Sequence, residues 1–171
     1  TGLRDITPPC FESWIDANDD GEYQRSKGDS FLDCGCDRVC PEDADYSAPD
    51  EGEGDGEFQA VWLAGFQTGR PAASINDPIW ARSTVLEKGD LRIGIVALDL
   101  VGWFNDDVVM TREMAAEAGL ELDYILVSST HQHEGPDTVG MWGERVGKTG
   151  YQEDYASFIP QATVDSLQDA I

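Results

Sequence analysis

Between Glu12 and Glu57 the chain carries sixteen acidic residues and only three basic ones, Arg25, Lys27 and Arg38. This excess of 13 negative charges is more than half of the formal net charge of -23, within about a quarter of the 171 residues. The stretch has no sustained hydrophobic period and almost no core-forming side chains, so apolar burial alone cannot order it. Cross-links or bound cations are needed. All four cysteines lie beside or inside it, at Cys10, Cys34, Cys36 and Cys40. Two disulfides are the simplest reading, with three pairings open. Disulfides imply an oxidising location: secreted, periplasmic or cell surface. A four-thiolate metal site is the rival, and the remote Cys10 and tight Cys34-Gly35-Cys36 spacing speak against it.

The carboxylates themselves suggest calcium. Asp16, Asn18, Asp20 and Glu22 alternate around Gly21 like the first half of a calcium loop. The full twelve-residue pattern fails because Lys27 stands where a bidentate glutamate belongs, leaving Asp29 or Asp33 to close the shell. A second set comprises Asp33, Asp37, Asp43 and Asp45; a third runs from Asp50 to Glu57 and includes Asp55. The expectation is structural Ca2+ held by these side chains, neutralising a segment that cannot pack. The competing reading is a solvated acidic loop on a salt-adapted surface.

Outside residues 12–57 the pattern is that of one α/β domain with a mixed β-sheet and flanking helices, interrupted by the acidic irregular insertion. Strands are predicted over residues 3–7, 79–86, 91–98 and 124–128, with 91–98 central and Lys88-Gly89-Asp90 turning the hairpin. Asn105 or Asp106 caps a predicted helix with Val108, Val109, Met114 and the Arg112 stem on its buried stripe, ending near Gly119. A last helix contains Pro160, which either opens or kinks it. Its rhythm through Val164, Leu167 and Ile171 persists to the last residue, as in a fragment or a processed piece of a longer protein. No apolar run approaches the roughly 20 residues of a membrane span. The acidic surface repels nucleic acid, so none is expected as a partner.

The only two histidines sit two apart in Ser129-Thr130-His131-Gln132-His133-Glu134-Gly135-Pro136-Asp137. On a strand, this spacing points both rings to one side. One ring can bind a metal while the other holds or protonates a reacting group, and Asp99, Glu134 or Asp137 can add a ligand or orient an imidazole. A polar turn is the plainer reading.

This stretch resembles the Thr-His-Thr-His-Ser-Gly-Pro signature of neutral, non-lysosomal ceramidases. Three more stretches resemble the N-terminal domain of that family in the same order: Leu3-Arg4-Asp5-Ile6-Thr7-Pro8-Pro9, Asn76-Asp77-Pro78-Ile79-Trp80-Ala81-Arg82, and Val96-Ala97-Leu98-Asp99-Leu100. The resemblance covers residues 1–11 and 58–171 and leaves the insertion unexplained. It implies the N-terminal part of a zinc-dependent amide hydrolase, with His131 a Zn2+ ligand and His133 a catalytic residue beside the substrate carbonyl. Metal-activated water would then cleave an N-acyl amide or lipid substrate. The remaining family ligands come from later in the chain, so the remainder of the catalytic protein or a complementary chain would complete the site. Gln132 and Glu134 replace the usual threonine and serine, and Asn76 stands where a histidine often precedes Asp-Pro.

The alternative is a non-catalytic, calcium-stabilised structural or binding module on a degenerate hydrolase fold, or one subunit of a processed enzyme. Trp80, Trp103 and Trp142 can line a lipid groove or fill a core. Arg70 and Arg82 can hold a carboxylate or merely offset acidic charge.

Overall fold

The computed structural model describes all residues, Thr1–Ile171. In residues 91–98, Gly94, Val96 and Leu98 are buried while Leu91 and Ile95 stand exposed, the alternation of a strand with two unlike faces. This strand, β5 (Leu91–Leu98), lies inside a four-stranded mixed sheet of order β1-β4-β5-β6, with β1 (Gly2–Asp5), β4 (Trp80–Lys88) and β6 (Tyr124–Ser129). β1–β4 and β4–β5 pair antiparallel, whereas β5–β6 is parallel. The parallel return requires a crossover, which α1 (Asn105–Glu117) supplies.

Helix α2 (Glu153–Ala170) packs across β1, β4 and β5, and α1 packs against α2. Ile6, Val96, Leu98, Ile159, Val164 and Leu167 are fully or almost fully buried between the layers. Each such side chain contributes about 1.5–3 kcal/mol. The buried Tyr155 hydroxyl donates to the Ile6 carbonyl at 2.6 Å, and burial pushes its pKa far up. At Gly2 a Cβ would lie 1.8 Å from the Ser166 carbonyl oxygen, so glycine permits β1 to reach α2.

Two details differ from the sequence reading. Phe104 occupies the N-cap position of α1, and Val109 faces solvent while Val108, Thr111 and Ala115 are buried. Asp106 and Asp107 instead occupy the first turn, where they complement the helix dipole. Pro160 lies well inside α2 and is buried, so it does not open the helix.

The insertion is ordered around two disulfides, Cys10–Cys36 and Cys34–Cys40, and no cysteine is left as a thiolate ligand. Its short strands β2 (Trp14–Ile15) and β3 (Ser30–Phe31) pair antiparallel. Aromatic residues spaced without period gather there: Tyr23 and Phe31 lie 4.7 and 5.1 Å from the Phe58 ring, and Trp14 meets Tyr23 edge-on. Glu12, with no exposed surface, accepts backbone hydrogen bonds from Gly35 and Gln59, joining the insertion to the chain that re-enters the domain.

Burial, the largest influence, pushes the Glu12 carboxyl above its ordinary value of 4.5 despite those two hydrogen bonds. The native state therefore binds this proton more tightly than the unfolded chain. The resulting stability is complete below 4.5 and lost as pH rises through the raised native value. The stability of the wild type relative to Glu12→Gln is expected to fall as pH rises above 4.5, in thermal melts at constant ionic strength. A pH-independent difference would refute this role.

Candidate functional site

β6 ends at Ser129, so His131 stands beyond the strand. Its amide donates to the Leu100 carbonyl at 3.0 Å, and its backbone is left-handed with φ 60°. Phe66 is likewise left-handed at φ 55°. For non-glycine residues such conformations cost about 1–3 kcal/mol each and need surrounding structure to hold them. The His131 and His133 rings meet edge-on with centroids 4.9 Å apart, and Phe66 meets His133 in the same way at 5.0 Å. A Cβ on Gly65, itself left-handed, would lie 2.3 Å from His133 Cγ.

The His131 Nδ1 lies 2.6 Å from the Val101 carbonyl. A carbonyl only accepts, so Nδ1 carries the proton and Nε2 bears the lone pair in the neutral ring. Arg70 grips Glu134 through one guanidinium nitrogen, at 2.9 and 3.0 Å from its two oxygens, and lies over the Phe66 ring at 5.1 Å. Trp142 donates to the Phe66 carbonyl at 3.3 Å. Asp137, 1% exposed, accepts four amides: Val139 and Gly140 on one oxygen, Trp142 and Gly150 on the other.

The expected zinc centre does not fit this geometry. No group of three or more His, Cys, Asp or Glu side chains is placed to hold a metal ion. His131 and His133 come together, but Asp137 is engaged by its own loop and Glu134 by Arg70. Asp99 accepts from the Trp80 amide and pairs with Arg82. A zinc-activated-water mechanism, with His131 as ligand and His133 as its catalytic companion, is therefore corrected: the donors needed for it do not converge.

The calcium expectation fails for a related reason. Asp16 accepts the amides of Asn18, Asp20 and Gly21. Asn18 and Lys27 both donate to Asp20, and Glu22 accepts from the Gln24 side chain. Lys27 meets Asp20 at 2.6 Å as a built-in counter-ion, and its hydrogen bond holds the Asp20 carboxyl below the ordinary range. Asp33 accepts Gly54 and Gly56, while Asp37 accepts Val39. Asp50 accepts the Asp37 amide, and Asp55 accepts Glu57 and Gln59. These acids fold their own loops instead of converging on Ca2+.

Beside the histidine face, sharing Arg70, Gln132 and Glu134 with it, opens a groove of about 760 Å³. Phe11, Trp14, Pro71 and Ile75 supply apolar wall; Asn76 and Asp77 supply polar groups from an exposed loop. The histidines and Trp142 are not among its lining residues. Trp103 packs against the main core, and Trp80 is half-buried at the start of β4. The groove escaped the sequence reading because its walls come from segments far apart in the chain, residues 7–21, 61–79 and 132–136. Their approach leaves no periodic signal.

No family model matches the chain, and no curated protein or solved structure matches it either. No helix is long and apolar enough to cross a membrane.

Proposed function

We propose that this chain is a non-catalytic, disulfide-stapled binding module that holds an amphipathic ligand of the N-acyl amide class in the groove beside the histidine face. The observation that carries this reading is the groove's division into an apolar wall and a hydrogen-bonding rim, adjoining a histidine pair that lacks further metal donors. Hydrocarbon is suited to Phe11, Trp14 and Ile75. An amide N–H can donate to the side-chain oxygen of Asn76, whose amino group is turned to Asp77.

The motif agreements support a kinship of fold with ceramidase N-terminal domains, without their hydrolysis. In that reading, residues 1–171 are part of a larger domain, residues 12–57 are an insertion, and a complementary chain adjoins the histidine face. The two disulfides support a secreted, periplasmic or cell-surface location, and the charge of -23 argues against nucleic acid as partner.

The test is titration with a neutral medium-chain N-acyl amide below its micellar concentration, followed by tryptophan fluorescence and calorimetry. Saturable binding is expected, weakened about tenfold by Ile75→Asp and changed less than about twofold by His131→Ala. No saturation up to about 1 mM would overturn the proposal. So would steady release of fatty acid that His131→Ala abolishes.

A further inference from the structure

Arg70 is the only cationic residue lining the groove, and its pairing is lopsided. Its side chain is 13% exposed, whereas that of its partner Glu134 is 68% exposed. The guanidinium is fixed from the protein side: one terminal nitrogen donates to the Gly65 carbonyl at 3.3 Å, and the group lies over the Phe66 ring. Only the other terminal nitrogen reaches Glu134, which also lines the groove. This single-nitrogen contact falls short of the two-nitrogen fork that arginine can make with a carboxylate.

The two partners have unequal reasons to stay. A largely buried guanidinium needs a counter-ion, because an unpaired buried charge is costly. An exposed carboxylate regains its water on leaving and gives up little. The Glu134 amide is held separately by the Gln132 side-chain oxygen at 2.6 Å, so the carboxylate can swing into solvent while its backbone stays in place. Arg70 is thus a fixed cation with a removable anion. Charge narrows what can replace that anion. The chain carries a net charge of -23, and Asp77 and Asp99 also line the groove, Asp99 being paired with Arg82. An additional anion would be repelled, but one that takes the place of Glu134 keeps Arg70 neutralised while Glu134 moves to water. A planar, singly charged carboxylate meets this condition. A phosphate brings further charge for which no second base lines the groove.

We infer that Glu134 is an internal stand-in for a ligand carboxylate, and that the ligand is an N-acyl amino acid whose carboxylate displaces Glu134 from Arg70. The inference rests on the N-acyl amide reading of the groove and narrows it. The acyl chain lies along Phe11, Trp14 and Ile75, the amide beside Asn76, and the carboxylate on Arg70. Glu134 then sets selectivity, since a ligand without the acid leaves the Arg70 pair closed.

The test compares N-decanoylglycine and N-decanoyl-γ-aminobutyrate, a short and a long spacer, each with its own carboxamide. Binding to the full chain is read by calorimetry at neutral pH and physiological salt, below the micellar concentrations. At least one acid is expected to bind about threefold or more tightly than its carboxamide. Glu134→Gln is expected to tighten that acid about tenfold and its carboxamide less than about twofold. Arg70→Gln should abolish the preference for the acid, and adding Glu134→Gln to it should restore none. The acid-to-carboxamide ratio cancels any general loosening of the groove around Arg70. Glu144→Gln supplies a charge-matched control: Glu144 is exposed and follows Gly143, whose carbonyl accepts the Gly69 amide beside Arg70. It should change the ratio less than about twofold. An equal rise from Glu144→Gln would reveal a general field effect and overturn the inference. So would carboxamides that bind as tightly as their acids in both the wild type and Glu134→Gln, a result that leaves the N-acyl amide reading standing. No binding by any of the four compounds would overturn both.

Discussion

Asp137→Ala is expected to destabilise the protein by about 4 kcal/mol, among the largest single-residue effects in the chain. The carboxylate is almost wholly buried and gathers four backbone amides from a loop that turns back on itself. Removing it strands those donors together, and each buried unsatisfied group costs about 1–3 kcal/mol before water enters. Re-entry of water at the more accessible amides keeps the total below the simple sum. Asp137→Asn retains one carbonyl oxygen for two amides and turns an NH2 group towards the others, so about half of the loss is expected. The Asp137 amide also donates to the Trp62 carbonyl at 2.8 Å, and Pro136 bridges to Leu63. Loosening this loop should therefore weaken ligand binding in the groove as well as lower the urea midpoint. A loss under about 1 kcal/mol for the alanine variant would show that the four hydrogen bonds are replaceable by solvent.

Asp137 also shows where sequence reading stopped. Its position four residues after His133 made it a candidate metal ligand, but carboxylate chemistry alone does not distinguish an ion from a ring of amides. Gly140 and Gly150, which let the loop turn around it, are the residues that decide. The strands were easier to read, because alternation along residues 79–98 and the turn at Gly89 state both pairing and face. β5 is interior as its Ile/Val content implies. The second face of the sheet was hidden because Ile93 and Ile95 make β5 apolar on both sides, which resembles an ordinary buried strand. The acidic insertion misled for a different reason. Trp14, Tyr23, Phe31, Phe58 and Trp62 are too widely and irregularly spaced to register as a core, yet folding brings their rings together. The proximity of the two histidines was legible from spacing. The left-handed turn at His131 was not, because it is imposed by contacts with Leu100 and Val101 across the sheet end.

Cys10→Ser/Cys36→Ser should lower stability by about 3.5 kcal/mol, whereas Cys34→Ser/Cys40→Ser should lower it by about 2 kcal/mol. The first bridge closes a chain separation of 26 residues and the second one of only 6, so the first removes more conformational freedom from the unfolded state. Their consequences also differ in place. Cys10 immediately precedes the Phe11 and Glu12 pair, which supplies a groove wall and the buried anchor for Gly35 and Gln59. Its loss should therefore release the aromatic cluster and weaken groove binding while the sheet and helices remain folded. Loss of the smaller loop should leave the groove affinity nearly unchanged. Urea unfolding followed separately by tryptophan fluorescence and far-UV circular dichroism distinguishes these outcomes: the Cys10 variant should show an early fluorescence transition with little change in circular dichroism. Equal effects from the two bridges would contradict the assignment of Cys10–Cys36 as the principal tie. Calcium added to the Cys10 variant should not restore the early transition, because the insertion's carboxylates are already organised around amides and Lys27. Recovery at constant ionic strength would show that an ion can replace the bridge.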